Sequence, residues 1–77
     1  MNYIFLDNGF EEIEAITTID LLRRANIALT TISVTGQAMV TGAHDIIVKA
    51  DALFVDADFS DAEMLIQYLT EDLDGVI

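Results

Sequence analysis

Apolar positions follow two rhythms along this chain. Tyr3 to Leu6 is an unbroken apolar run, the pattern of a strand buried on both faces, as in a parallel sheet. It stops at Asp7-Asn8-Gly9, a turn signal. From Glu11 to Ala25 the period becomes helical: Ile13, Ile16, Ile19 and Leu22 recur, and Ala15, Leu21 and Ala25 widen the stripe. This predicts an amphipathic helix laid on a sheet. Glu11, Glu12 and Glu14 fall in its first turn and Arg23 and Arg24 in its last, where the helix dipole favours each sign of charge. Asn26 reads as the terminator, and Ile27 to Thr35 is rich in β-branched residues, a second strand. Strand, helix and strand within about thirty residues read as one βαβ unit with parallel strands.

Gly36 and Gly42 then bracket a short segment, Gln37 to Thr41. Ile46 to Val48 reads as a short strand, Ala52 to Phe54 as a further extended piece, and Glu63 to Ile66 as the last strand after the polar break Ser60-Asp61-Ala62. The tail, Gln67 to Ile77, carries a turn of helix capped by Thr70 and a turn at Asp74-Gly75. There is no proline, repeat or low-complexity stretch, so residues 1–77 form one domain unit. A parallel sheet needs both faces covered, and one helix covers only one. The expectation is an apolar face left for a second copy of the chain or for a larger body.

Composition narrows the function classes. Apolar residues make up 53% of 77, a folding composition despite the charge, although so short a chain is only marginally stable without staples. Cysteine is absent and there is one histidine, so disulfides and thiolate metal sites are excluded and a zinc cage would be built mostly from carboxylates. Fourteen acids face three basic residues, for a net charge of −11. Such a field repels phosphate backbones and anionic headgroups, so neither nucleic acid nor a membrane surface is expected as a partner. The opening residues lack a basic segment and a long apolar run, so no signal peptide or membrane span is read there and the cytoplasm is the expected compartment.

Three groups of residues, taken together and in order, point to a family. Asn8-Gly9-Phe10-Glu11-Glu12-Ile13-Glu14-Ala15, then Asp20-Leu21-Leu22-Arg23-Arg24-Ala25, then Val34-Thr35-Gly36 with the run from Val40-Thr41-Gly42 to Ala52, resemble the opening of ThiJ/PfpI proteins over roughly residues 1 to 66. The resemblance implies an α/β, flavodoxin-like (Rossmann-like) and mostly parallel sheet, here truncated and with one main helix, whose site lies at strand C-termini. It further implies a reactive cysteine at a strand-to-helix elbow, supported by the last glutamate of a G-F-E-E-x-E motif. Glu14 is the matching position. Family activities include glyoxalase and protein-deglycase action on reactive carbonyls, chaperone function and protease-like enzymes. Where the family usually has a leucine-proline-glycine-glycine turn, this chain reads Gln67-Tyr68-Leu69-Thr70, so residues 67–77 depart from the pattern and the elbow would lie beyond residue 77. The expectation is a partial domain that is inactive alone, acting with a complementing chain or as a homo-oligomer.

Other candidates carry plainer readings. Glu14 with Glu11 and Glu12 is a carboxylate cluster suited to raising one pKa for acid-base work, or three solvated acids supporting a helix N-terminus. Gly9 before the helix lacks both phosphate-loop patterns, and the glutamates oppose an anion. His44-Asp45 offers a histidine beside an acid, against a surface loop histidine without a triad serine. Asp56-Ala57-Asp58-Phe59-Ser60-Asp61 begins like a calcium loop but has Asp61 where glycine is required and Gln67 where the bidentate glutamate belongs. Asp56 with Asp7 could hold magnesium as in a phospho-receiver, although its lysine and hydroxyl are not reached; a solvated acidic loop is the plainer reading. No cofactor or metal is expected. The function classes are thus a family domain without its nucleophile, a self-associating or partner-binding α/β module, and a receiver-like magnesium-binding domain.

Overall fold

The computed structural model describes residues 1–68; the helical turn at Thr70 and the turn at Asp74-Gly75 lie outside them. The elements run β1 (Asn2–Leu6), α1 (Glu12–Arg24), β2 (Leu29–Ser33), β3 (Met39–Thr41), β4 (Ile47–Lys49), β5 (Ala52–Leu53), a 3-10 turn (Phe54–Asp56) and β6 (Met64–Tyr68). Four strands form a parallel sheet in the order β5-β2-β1-β6, with Asn2 opposite Leu29 on one side and Met64 on the other. The fold class is the expected truncated α/β, flavodoxin-like sheet with one helix. The second strand is shorter than Ile27 to Thr35, because residues 25–27 close the helix. Asn26 sits at φ 62°, its N–H donates to the Arg23 carbonyl, and the Ile27 N–H donates to the Leu22 carbonyl. This left-handed residue satisfies two carbonyls that would otherwise be orphaned.

Being central, β1 uses both faces. Ile4 and Leu6 point to a core with Phe10, Ala15, Val40 and Ala50, onto which Ile19, Leu22 and Val48 pack. The glycine-bracketed segment contributes here: β3 and β4 pair as a separate antiparallel hairpin, Val40 opposite Val48, and Val40 is fully buried. The helix is turned away from the Ile13 and Ile16 side of its stripe. Ile13 is 76% exposed, whereas Ala15 is buried and Ile19 and Leu22 reach the core. The buried line is therefore Glu12, Ala15, Ile19 and Leu22, three and four residues apart as helix geometry requires.

The opposite face departs from the expectation of an uncovered surface. Because β5 and β6 lie on opposite sides of the β2–β1 pair, the connection through residues 54–63 must cross the sheet. Tyr3, Phe5 and Ile32 on that face pack with Ala57, Phe59 and Ala62 from this connection. Phe59 stands edge-on to Tyr3 and Phe5, with ring centroids at 4.8 and 5.2 Å, the geometry that aromatic quadrupoles favour. The Tyr3 hydroxyl donates to Asp61 Oδ1 at 2.6 Å and lies 3.1 Å from the Asp58 carbonyl oxygen. That bond to Asp61, then burial and the negative charges of Asp61 and Asp58, push the Tyr3 pKa up to about 12. No described helix is long and apolar enough to cross a membrane.

Candidate functional site at the head of the helix

The loop leaving β1 is drawn toward the hairpin. Gly9, at φ 89°, donates its N–H to the Thr41 carbonyl at 2.7 Å, and Asn8 Oδ1 accepts from the Thr41 N–H at 3.0 Å. A side chain at Gly9 would be held in a region that L residues rarely adopt. Phe10 follows, fully buried, and its carbonyl accepts from the Ala43 N–H. The first turn of α1 is thus fixed to the C-terminal end of β1 and to residues 41–46.

The three glutamates of this turn have three different roles. Glu11 is the helix cap, its Oε1 accepting from the Ile13 N–H at 2.7 Å. Glu12, only 3% exposed, is a buried anchor for the hairpin loop. Its Oε2 accepts from the N–H groups of His44 at 2.6 Å and Ile46 at 3.3 Å, and its Oε1 lies 2.7 Å from His44 Nδ1. An ionised carboxylate only accepts, so the last bond requires the proton on Nδ1. Glu14 is exposed on the first turn.

This overturns the reading of three solvated acids as far as Glu12 is concerned, and it gives His44 a partner 32 positions away in sequence. A buried charge persists only when its hydrogen bonds are supplied, and here two backbone amides and an imidazole supply them. The sequence did carry a signal: Glu12 heads the line that Ala15, Ile19 and Leu22 continue into the core.

Burial alone would raise the Glu12 pKa, but the hydrogen bonds from the His44 side chain and from backbone amides outweigh it and lower the value from 4.5 to about 2. A carboxyl with a depressed folded-state pKa adds stability that is complete above its unfolded pKa and is lost as pH falls toward the folded one. Thermal unfolding of the wild type and Glu12→Gln should therefore differ most above about pH 5 and converge between about 4.5 and 2. A gap independent of pH over that window would refute the ionised anchor.

Glu11, Glu12 and His44 also form the one group of three metal-ligating residue types within 4.8 Å among the described residues. The oxygens of Glu12 already receive three N–H donors, so the trio acts as a hydrogen-bonded anchor. Its electrostatics favour an ionised Glu12, unsuited to releasing a proton near neutrality.

The remaining candidates disperse. Among the described residues, no serine joins His44 as a nucleophile: Ser33, fully buried at the end of β2, exchanges a hydroxyl hydrogen bond with Thr35 at 2.9 Å and accepts from the Thr35 N–H. Asp7 follows β1, whereas Asp56 is exposed beyond β5, and β2 lies between these strands. That order does not bring the two acids together as a receiver needs. Asp58 accepts from the Ser60 N–H, a bond that lowers its pKa, and Asp61 accepts from Tyr3. Of the three acids in the aborted calcium loop, Asp58 thus closes a local turn and Asp61 ties the crossover to β1.

Residues 2–67 match the model of the DJ-1/PfpI family. No curated protein sequence matches the chain. Among solved structures, oxidized Toxoplasma gondii DJ-1 is similar at 28% identity and a TM-score of 0.78, over 86% of this chain and 36% of that one. A cysteine-to-alanine mutant of a DJ-1 superfamily protein from Salmonella typhimurium is similar at 38% identity and a TM-score of 0.67, over 71% of this chain and 30% of that one. The chain thus spans about a third of the length of these relatives.

Proposed function

The chain belongs to the DJ-1/PfpI family, and from that premise we propose that it supplies the supporting acid of a DJ-1/PfpI-type site, Glu14, to a nucleophile carried by another chain or segment. One observation carries this reading. The head of α1 presents Glu14 to solvent while the neighbouring acids are engaged, Glu11 in capping the helix and Glu12 in holding the hairpin loop. Its position in Gly9-Phe10-Glu11-Glu12-Ile13-Glu14, just after the C-terminal end of β1, is where open α/β sheets place their ligands. The substrate class implied is a reactive carbonyl compound, and without cysteine among its 77 residues the chain alone is inactive. Self-association is part of the proposal. Ile13, Ile47 and Val55 are 76%, 61% and 79% exposed, which supports apolar contact with a second copy or a complementing chain.

The purified chain is expected to show no turnover of methylglyoxal and to run as a dimer by light scattering. Adding the cysteine-bearing part of a DJ-1/PfpI domain in trans should restore turnover, and Glu14→Gln should lower it about 100-fold or more, the usual scale for a positioned acid or base. Turnover by the cysteine-free chain, or restored turnover indifferent to Glu14→Gln, would sink the assignment.

A further inference from the structure

We propose that the cleft between the C-terminal half of α1 and strand β4 binds small monoanions with a short apolar tail, the chemistry of a six-carbon carboxylate. The cleft has a volume of about 200 Å³, and its walls include Leu6, Ile16, Ile19 and Val48, with Arg23 and Lys49 also lining it. It lies away from the head of the helix and does not involve Glu14.

Charge sets the occupant apart from any apolar filler. This chain has three basic residues against fourteen acids, yet two of the three line one small cleft. Arg23 is already paired with Asp51 at 2.8 Å. Asp51 Oδ2 also accepts from the Thr31 N–H, and the Asp51 N–H donates to Thr31 Oγ1, so the polar part of the wall is internally satisfied. Lys49 makes no ion pair or side-chain hydrogen bond among the described residues. A single ammonium beside an apolar wall recognises one negative charge on an apolar body. Polyanions such as phosphate esters are opposed by the net charge of −11.

Size sets the length of the tail. A 150 Å³ apolar cavity holds benzene, about 25 Å³ per heavy atom. By that scale the cleft takes about eight heavy atoms, which is hexanoate.

The test titrates hexanoate and, separately, 1-hexanol into the isotope-labelled chain and follows amide chemical shifts. Hexanoate should give saturating shifts confined to the neighbourhood of Leu6, Ile16, Val48 and Lys49, through the tens-of-millimolar range or tighter. Hexanol should bind more weakly. Lys49 is exposed, so Lys49→Gln should weaken hexanoate by about three- to fivefold, the scale of a surface ion pair, and leave hexanol unchanged. Ile16→Glu, at a half-exposed wall position, should abolish hexanoate binding while the spectrum stays folded. Absence of saturation, shifts scattered over the surface, or equal binding of both ligands with Lys49→Gln inert would overturn the proposal.

Discussion

Phe10→Ala is expected to cost about 3–5 kcal/mol, the range for removing a buried aromatic side chain. Phe10 is fully buried and is the largest such side chain among the described residues. A domain of this size has a total stability of roughly 4–12 kcal/mol, at 0.05–0.15 kcal/mol per residue. One substitution in a loop would therefore remove a quarter or more of what holds the fold. The ring also fills the junction where the head of α1 meets β1 and the hairpin, which leaves little freedom for the site to collapse and reduce the cavity. Chemical denaturation would measure the loss. A change under about 1 kcal/mol would show that this junction is looser than its burial implies.

The second large effect is at Gly42. A Cβ added there would stand 2.6 Å from Glu12 Cγ and closer still to its carboxyl, well inside van der Waals contact. The obstacle is a buried side chain held by three hydrogen bonds, so it cannot swing away freely. Overpacking of this kind costs about 1–3 kcal/mol, and for a domain of 60–100 residues each kcal/mol lowers Tm by about 4–8 °C. Gly42→Ala should thus lower Tm by roughly 4–24 °C. The mechanism predicts coupling: in a Glu12→Ala background, where the clashing atoms are gone, the same substitution should cost less than half as much. Additive effects in that double-mutant cycle would show that the glycine is needed for some other reason.

Both predictions concern features that reading along the chain reached unequally. The βαβ unit was legible, because Tyr3 to Leu6 and the Glu11 to Ala25 periodicity are local patterns with separations of two to four residues. Asn26 was legible as a terminator for the same reason, its left-handed conformation being a property of the residue type. The three motif groups, taken in order, gave the family resemblance over nearly the span that the family model matches.

The covering of the second sheet face was not legible. Residues 54–63 have no apolar period, and Phe59 becomes a core contact only because the connection must cross from β5 to β6. The inward side of α1 also differs from the stripe that the periodicity predicts, since Ile13 is 76% exposed whereas Ala15 is buried. Glu12 can lie on the buried line because His44 and Ile46, more than thirty positions away, bring the donors that an ionised carboxylate needs.

The sequence by itself therefore determined the βαβ elements and the family, both of which rest on near-neighbour periodicity and motif order. Only the tertiary structure decided the fate of each of the three glutamates, the cover of the second face and the cleft beside Lys49. The reason is physical: burial of a charge or of an aromatic ring is stable only with partners, and here those partners come from segments that only the folded chain brings together.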